Sequence, residues 1–349
     1  MERAELVALI HRGEIISDED FTGQDLSGAD LSGAILERVR FTGANLAGAT
    51  LKESALSACN LTGADLTGAD LTRTLFHQGT LAGARLHGAN LLKTKLVSVD
   101  LSRADLTGAR LPLAALHLVD LTGACFANTN LDRTAILEAK TGGVSFAGAH
   151  LKQTTLLGAD LTSANLTGAR FELAVLLGAN LAGRDLSGMD LTLTQLTGCD
   201  LSGCDLSAAT LTQCNFKDAN LAGANLAGAR AGNALFVDAR LVGASFQGAR
   251  LTQSIFAGAD LTDADCSGAS LEQTLFTRAT CRRTRFGGAN LTYADFSHAD
   301  VSGGTFVGAT LFRARFHRTR DEGTVWGSRA LALGDDAELA EAERWQPTH

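Results

Sequence analysis

Seven cysteines, eight histidines and 38 acidic residues are the side chains of this 349-residue chain that could hold a metal, attack a substrate or move a proton. Their spacing argues against all three. No two cysteines form Cys-x-x-Cys, and an odd number cannot be fully paired into a disulfide scaffold. Free thiols acting as small apolar side chains point to a reducing, cytoplasmic setting. The glycines recur in steps of five rather than as Gly-x-Gly-x-x-Gly, and no phosphate loop, nucleophile elbow or zinc-protease motif occurs. The expectation is a non-enzymatic chain with no cofactor and no metal.

The elements that position these side chains follow from one period. Compare Ala29-Asp30-Leu31-Ser32-Gly33, Ala44-Asn45-Leu46-Ala47-Gly48 and Ala64-Asp65-Leu66-Thr67-Gly68. A large apolar residue falls on every fifth position from Phe21 to Phe316, broken only by Thr141 and Ala231, with Cys266 and Cys281 as apolar substitutes. The residue two before each centre is small almost everywhere after the first, with Gln24, Arg184 and Met189 as exceptions. A period of five fits neither a helix nor a flat strand. It fits a chain that turns a corner every five residues, so that four corners close a coil of twenty. The centre and the small residue two before it then point inward, because four large side chains already fill a narrow interior. Glycine two after the centre suits a turn that needs positive φ.

This pattern resembles the pentapeptide repeat family over residues 21 to 320. The resemblance implies an all-β fold, a right-handed quadrilateral β-solenoid of about 15 coils with short helical caps at the ends. Three segments are expected: residues 1–20 as an N-terminal capping helix (Glu2 to His11) and connector, residues 21–320 as the solenoid, and residues 321–349 as a C-terminal cap or tail. That last segment holds Trp326 and a helix-like stretch from about Asp335 to Arg344. It is a candidate to cap the last coil, to pair two copies as a homodimer, or to stay mobile. No apolar run reaches 18 residues, so no membrane span is expected, and Met1 to Asp20 is too acidic for a secretory signal.

The four sides of the coil, centred on Phe21, Leu26, Leu31 and Leu36 and their successors, are not equivalent. Sides one and two carry glycine two after the centre in most coils. Side four carries a phenylalanine column, Phe216, Phe236, Phe256, Phe276, Phe296 and Phe316, read as a structural ladder. Sides three and four also place large apolar residues outward: Leu92, Leu113, Leu118, Leu137, Leu157, Leu173, Val175, Leu177 and Leu193. Ile35, Leu75, Leu235, Ile255 and Leu275 stand just before side-four centres, where other sides use Asp or Asn. Such a strip predicts a covered surface. Either a protein partner covers it, or side-four corners turn differently and tuck it in, or the chain's tail or a second copy lies over it. His298 and His317 fall on adjacent coils of side four, and His77 and His117 two coils apart. A metal site needs three or four converging ligands, so neither pair qualifies. Arg184 and Met189, both at inward positions of one coil, predict local widening or outward displacement.

The formal net charge of −8 resolves into parts. Residues 21–320 hold 25 acids and 26 bases, while both ends are acidic. Some relatives, the quinolone-resistance type, are thought to imitate DNA and bind type II topoisomerases. B-DNA carries about one negative charge per 1.7 Å, so a near-neutral solenoid matches it poorly. Asp100, Asp105, Asp120, Asp160, Asp185, Asp200 and Asp205 are read instead as satisfying turn backbone groups. A basic end, Arg282, Arg283, Arg285, Arg313 and Arg315 with Arg278, Arg318 and Arg320, suggests an acidic partner, nucleic acid, or the acidic tail itself. Only Tyr293 and Phe312 are outward aromatics nearby, too few to stack bases, which argues against nucleic acid. The leading segment Ile16-Ser17-Asp18-Glu19-Asp20-Phe21-Thr22-Gly23-Gln24-Asp25-Leu26-Ser27-Gly28 is similar to that of family members found with type VI secretion components. The expected function is a protein-binding scaffold, with a DNA-mimicking binder of DNA gyrase or topoisomerase IV as the alternative.

Overall fold

The computed structural model describes residues 1–344. It is a parallel β-solenoid of about 16 turns with small helices. The chain divides into two compact units, one from Met1 to Asn180 and one from Leu181 onward. Both follow the same local rule. The amide three residues after a centre donates to the centre's carbonyl, as from Ala44 to Phe41 and from Ala224 to Leu221, each 3.0 Å. The residue between them has φ near +60°, as at Gly43 (60°) and Gly223 (66°). These are type II corners. Successive coils join in a register of twenty: the Leu31 amide donates to the Thr50 carbonyl at 2.7 Å, and the Thr50 amide to Ala29 at 2.9 Å.

In the first unit, α1 (Arg3–His11) buries Leu6 and Ile10, one helical turn apart, beside the first strand. The repeat starts one step before Phe21, because Ile16 already fills a buried centre. Face four here differs from the other three. It forms eight three-residue strands, β1 (Ile15–Ser17), β2 (Ile35–Glu37) and so on every twenty residues to β8 (Thr155–Leu157), in one parallel sheet. Its corners are bends without the closing turn hydrogen bond. The wider corner accommodates Val39, Cys59, Val99 and Val119 where most corners take alanine.

In the second unit all four faces turn alike until β9 (Thr305–Phe306) and β10 (Val325–Trp326), which pair in parallel. The phenylalanine column is buried and stacked, with ring centroids 4.6–5.1 Å apart from Phe216 to Phe316. A second stack, Phe286, Phe306 and Trp326, meets it edge-on. The tail continues the coil: Leu333 bridges Arg315, and α2 (Ala337–Ala342) follows, capped by the Asp336 side chain accepting from the Leu339 amide. Residues 345–349 of the expected C-terminal cap lie outside the described residues. Arg184 and Met189 are half-buried where the equivalent residues Ala179, Thr194 and Cys199 are buried, yet the corner bond from the Arg184 amide to Leu181 persists at 3.0 Å.

Buried hydroxyls add a third kind of bond. Thr74, Thr94, Thr134 and Thr154 donate to the carbonyls of Leu51, Leu71, Leu111 and Leu131 at 2.6–2.7 Å. Each sits two before a face-four centre, so its inward side chain meets the face-three carbonyl of the preceding coil.

Candidate protein-binding surface

In a strand whose central residue points inward, the two flanking residues point out. Face four of the first unit therefore presents two outward columns. In one, His117 pairs in register with Leu137, and Leu137 with Leu157. Leu177 continues the column, since its carbonyl accepts from the Gly158 amide at 2.9 Å. In the other column, Ala115, Ala135, Thr155 and Val175 stand in register. Leu118 occupies the corner beside this sheet. Leu118, Leu157 and Leu177 are exposed (49%, 43% and 37%), while Leu137 and Val175 are half-buried. Leu118, Leu137 and Leu157 lie at the open face-four corners, whereas the corner that holds Leu177 closes in the ordinary way, with the Ala179 amide donating to the Leu176 carbonyl at 3.1 Å.

Face three contributes less. Leu113 is exposed, and Leu92 and Leu173 are half-buried. Leu193 belongs to the second unit and is exposed there. Two grooves flank the leucine columns of the first unit. One, of about 260 Å³, is lined by Pro112, Leu113, Asp132, Arg133, Lys152 and Gln153. The other, of about 370 Å³, includes Leu118, Asp120, Glu138 and Lys140.

Leu113, Leu118, Leu173 and Leu193 share a backbone oddity. Their φ values are 61°, 55°, 58° and 61°, in the left-handed region. Glycine fills the equivalent corner position at many other corners. A left-handed conformation costs an L-residue about 1–2 kcal/mol, so these corners carry leucine against local preference.

The aspartates stand where turn chemistry needs them. Asp100, Asp105, Asp120, Asp160, Asp185, Asp200 and Asp205 each accept a hydrogen bond from the backbone amide two residues on, at 2.8–3.1 Å. Hydrogen bonds from Thr122 hold the Asp120 carboxyl below its ordinary range, with Lys140 adding to the effect. Burial raises the thiols of Cys59 and Cys204 to about 11 and that of Cys214 to about 12. None of the seven cysteines forms a disulfide among the described residues, and six are buried.

The basic end is largely paired within the solenoid. Arg283 forks onto Asp263 through two 2.7 Å bonds, Arg285 bonds Asp265 at 3.0 Å, Arg282 bonds Asp300 at 2.7 Å and Arg315 lies 3.8 Å from Asp295. Asp263 and Asp265 precede the stretch in which the arginines cluster, so a count by stretch misses them. Arg313 has no ion pair among the described residues and lines a groove with Leu275, Tyr293, Asp295, Arg315 and Leu333. Of the basic end, the acidic tail engages Arg318, through Glu343 at 2.8 Å and through Asp335, which accepts from the Arg318 amide at 2.7 Å. Glu343 meets His298, His317 and Arg318, and Arg329 pairs with Asp321 while lying over the Trp326 and Phe316 rings.

Comparison with known proteins accords with this geometry. Pentapeptide repeats match residues 17–134 and 142–320. No curated protein matches the chain. Among solved structures, the plasmid-mediated fluoroquinolone resistance protein QnrB1 is 18% identical, covering 57% of this chain and 95% of its own, with a TM-score of 0.39. HetL, involved in heterocyst differentiation regulation in the cyanobacterium Nostoc, is 27% identical over 78% of this chain and 96% of its own, with a TM-score of 0.22. A protein of the Arabidopsis thaliana thylakoid lumen is 38% identical over 30% of this chain and 69% of its own, with a TM-score of 0.24. Among the described residues no helix is long and apolar enough to cross a membrane.

Proposed function

The chain belongs to the pentapeptide repeat family, and on that premise we propose that it is a non-catalytic, cytoplasmic protein-binding scaffold. Its docking face is face four of the first unit, centred on Leu137, Leu157 and Leu177, with Leu118 and Val175 beside them. One observation carries the reading: these side chains form in-register outward columns on adjacent coils and remain at the surface. A contiguous apolar strip of this kind marks an interaction site. Glu138, Lys140 and Lys152 lie in the flanking grooves and supply a polar rim. Leu92, Leu113 and Leu173 extend the face around the corner.

The leading segment nominates a type VI secretion component as the first partner class to try. The DNA-mimicking alternative needs a continuous acidic surface. Here the carboxylates are engaged by backbone amides, and several also by Arg or Lys from a neighbouring coil. Binding of purified type VI secretion components and of gyrase should be measured with the full chain and with a Leu137→Asp, Leu157→Asp double variant. Both positions are outward, so the variant should keep the parent's circular dichroism spectrum. Loss of a saturable partner supports the reading. A partner bound equally by a folded variant overturns it, and protection of gyrase from quinolones would install the alternative.

A further inference from the structure

We propose that His298, His317 and Glu343 form a divalent transition-metal site that fastens the C-terminal tail to the last coils. The two histidines lie on successive coils of face four, and Glu343 is the residue that caps the C-terminus of α2. His298 Nε2 is 3.0 Å from Glu343 Oε1, and His317 Nε2 is 3.5 Å from Glu343 Oε2. The three ligand atoms all lie within 4.8 Å of one another. Zinc binds imidazole nitrogen and carboxylate oxygen at about 2.0–2.2 Å, which places tetrahedral ligand atoms about 3.4 Å apart. The three groups need only small movements to share one ion. A fourth position is left for water or another ligand, since the His298 side chain is 34% and the Glu343 side chain 27% exposed. Two imidazoles and one carboxylate suit zinc, cobalt, nickel or copper better than magnesium or calcium.

The surroundings define what loading requires. His317 is fully buried, and its Nδ1 accepts from the Asp336 amide at 3.1 Å. A metal on Nε2 moves the ring proton to Nδ1. That proton breaks the bond from the Asp336 amide, and its new acceptor is Asp335 Oδ1, 3.8 Å from Nδ1 and already accepting from the Arg318 amide at 2.7 Å, so loading requires a small shift of the Asp335–Asp336 segment. Arg318 is the competitor. Its Nη1 holds Glu343 Oε2 at 2.8 Å, and its Nη2 donates to the Ala340 carbonyl at 2.9 Å. An incoming cation must displace the first bond and tolerate the guanidinium nearby.

Zinc chloride titrated calorimetrically into the EDTA-treated full chain tests the proposal. One saturable micromolar site is expected, with zinc also raising the melting temperature. His298→Ala and Glu343→Gln should each weaken it by about tenfold or more. Arg318→Gln keeps all three ligands and removes the competing cation, so it should tighten zinc binding. A clasp that is only an ion-pair network would gain nothing from that change. No saturable zinc uptake, or uptake unchanged in both ligand variants, overturns the proposal.

Discussion

Leucine at a corner that glycine would fill without strain makes a sharp test of whether the apolar face exists for binding. The perturbation is Leu118→Gly, with Leu113→Gly as its companion. Three effects set the magnitude. Leu118 is 49% exposed, so removing its side chain forfeits about half of the roughly 1.5–3 kcal/mol that full burial of leucine contributes. Glycine adds unfolded-chain freedom that costs about 0.5–1 kcal/mol. Against these, φ of 55° no longer constrains an L-residue, which returns about 1–2 kcal/mol. The sum lies close to zero. Leu116, two residues earlier, is 1% exposed and fills a centre, and Leu116→Ala should cost about 2–5 kcal/mol. Urea unfolding of the three variants, followed by circular dichroism, reads the contrast. The glycine variants should keep the parent's midpoint while Leu116→Ala falls well below it, and the glycine variants should bind the partner more weakly. A loss of about 2 kcal/mol or more at Leu118→Gly would mean that leucine is structural, and the argument for a docking face would fail.

Removing one ring of the stacked column by Phe256→Ala breaks two stacks, at 4.6 and 5.1 Å, and an edge contact with Phe246. It should destabilise the second unit by about 3–5 kcal/mol, with hydrogen exchange rising there first because coils depend on their neighbours. Thr94→Val leaves the shape of a buried side chain but removes the 2.7 Å bond to the Leu71 carbonyl. A loss of about 1 kcal/mol in urea is expected, and no change would deny the hydroxyl column a stabilising role. Hydrogen bonds from Thr67, Thr107 and Thr122 lower the carboxyl groups of Asp65, Asp105 and Asp120 from their ordinary 3.8. A depressed folded value means stability that is present above about pH 4 and lost as pH falls below it. Melting temperatures measured from pH 7 to pH 2 should therefore hold and then drop, and a rise on acidification would contradict the assignment.

The inward positions were legible because they obey a rule of size repeated in every coil. Leu31, Leu46 and Leu66 fill centres, and Ala29, Ala44 and Ala64 leave them room. Ile16 extends the same rule, and its only distinguishing mark is the five-residue step before Phe21. The open corner of face four was less legible, since the period is identical on all four sides. Its traces are Val39, Val99 and Val119 just after the corner; the apolar residues before the centre are no guide, since Ile35 and Leu75 precede open corners but Leu235 and Ile255 precede closed ones. The pairing of Arg283 and Arg285 with Asp263 and Asp265 was not legible from charge by stretch. It appears only when residues twenty apart are placed side by side.

The third member of the histidine cluster shows where periodicity ends. His298 and His317 follow from the coil, but Glu343 lies beyond the last repeat, and no period places it. The amino-acid order alone determined which positions turn inward and the turn chemistry, because each depends on residues within five positions of one another, and the repeat of twenty then aligned the buried column. Tertiary structure alone decided which face stays open as a sheet, which arginines are neutralised and where the tail lands. Those outcomes depend on contacts between neighbouring coils and between the last coils and the tail.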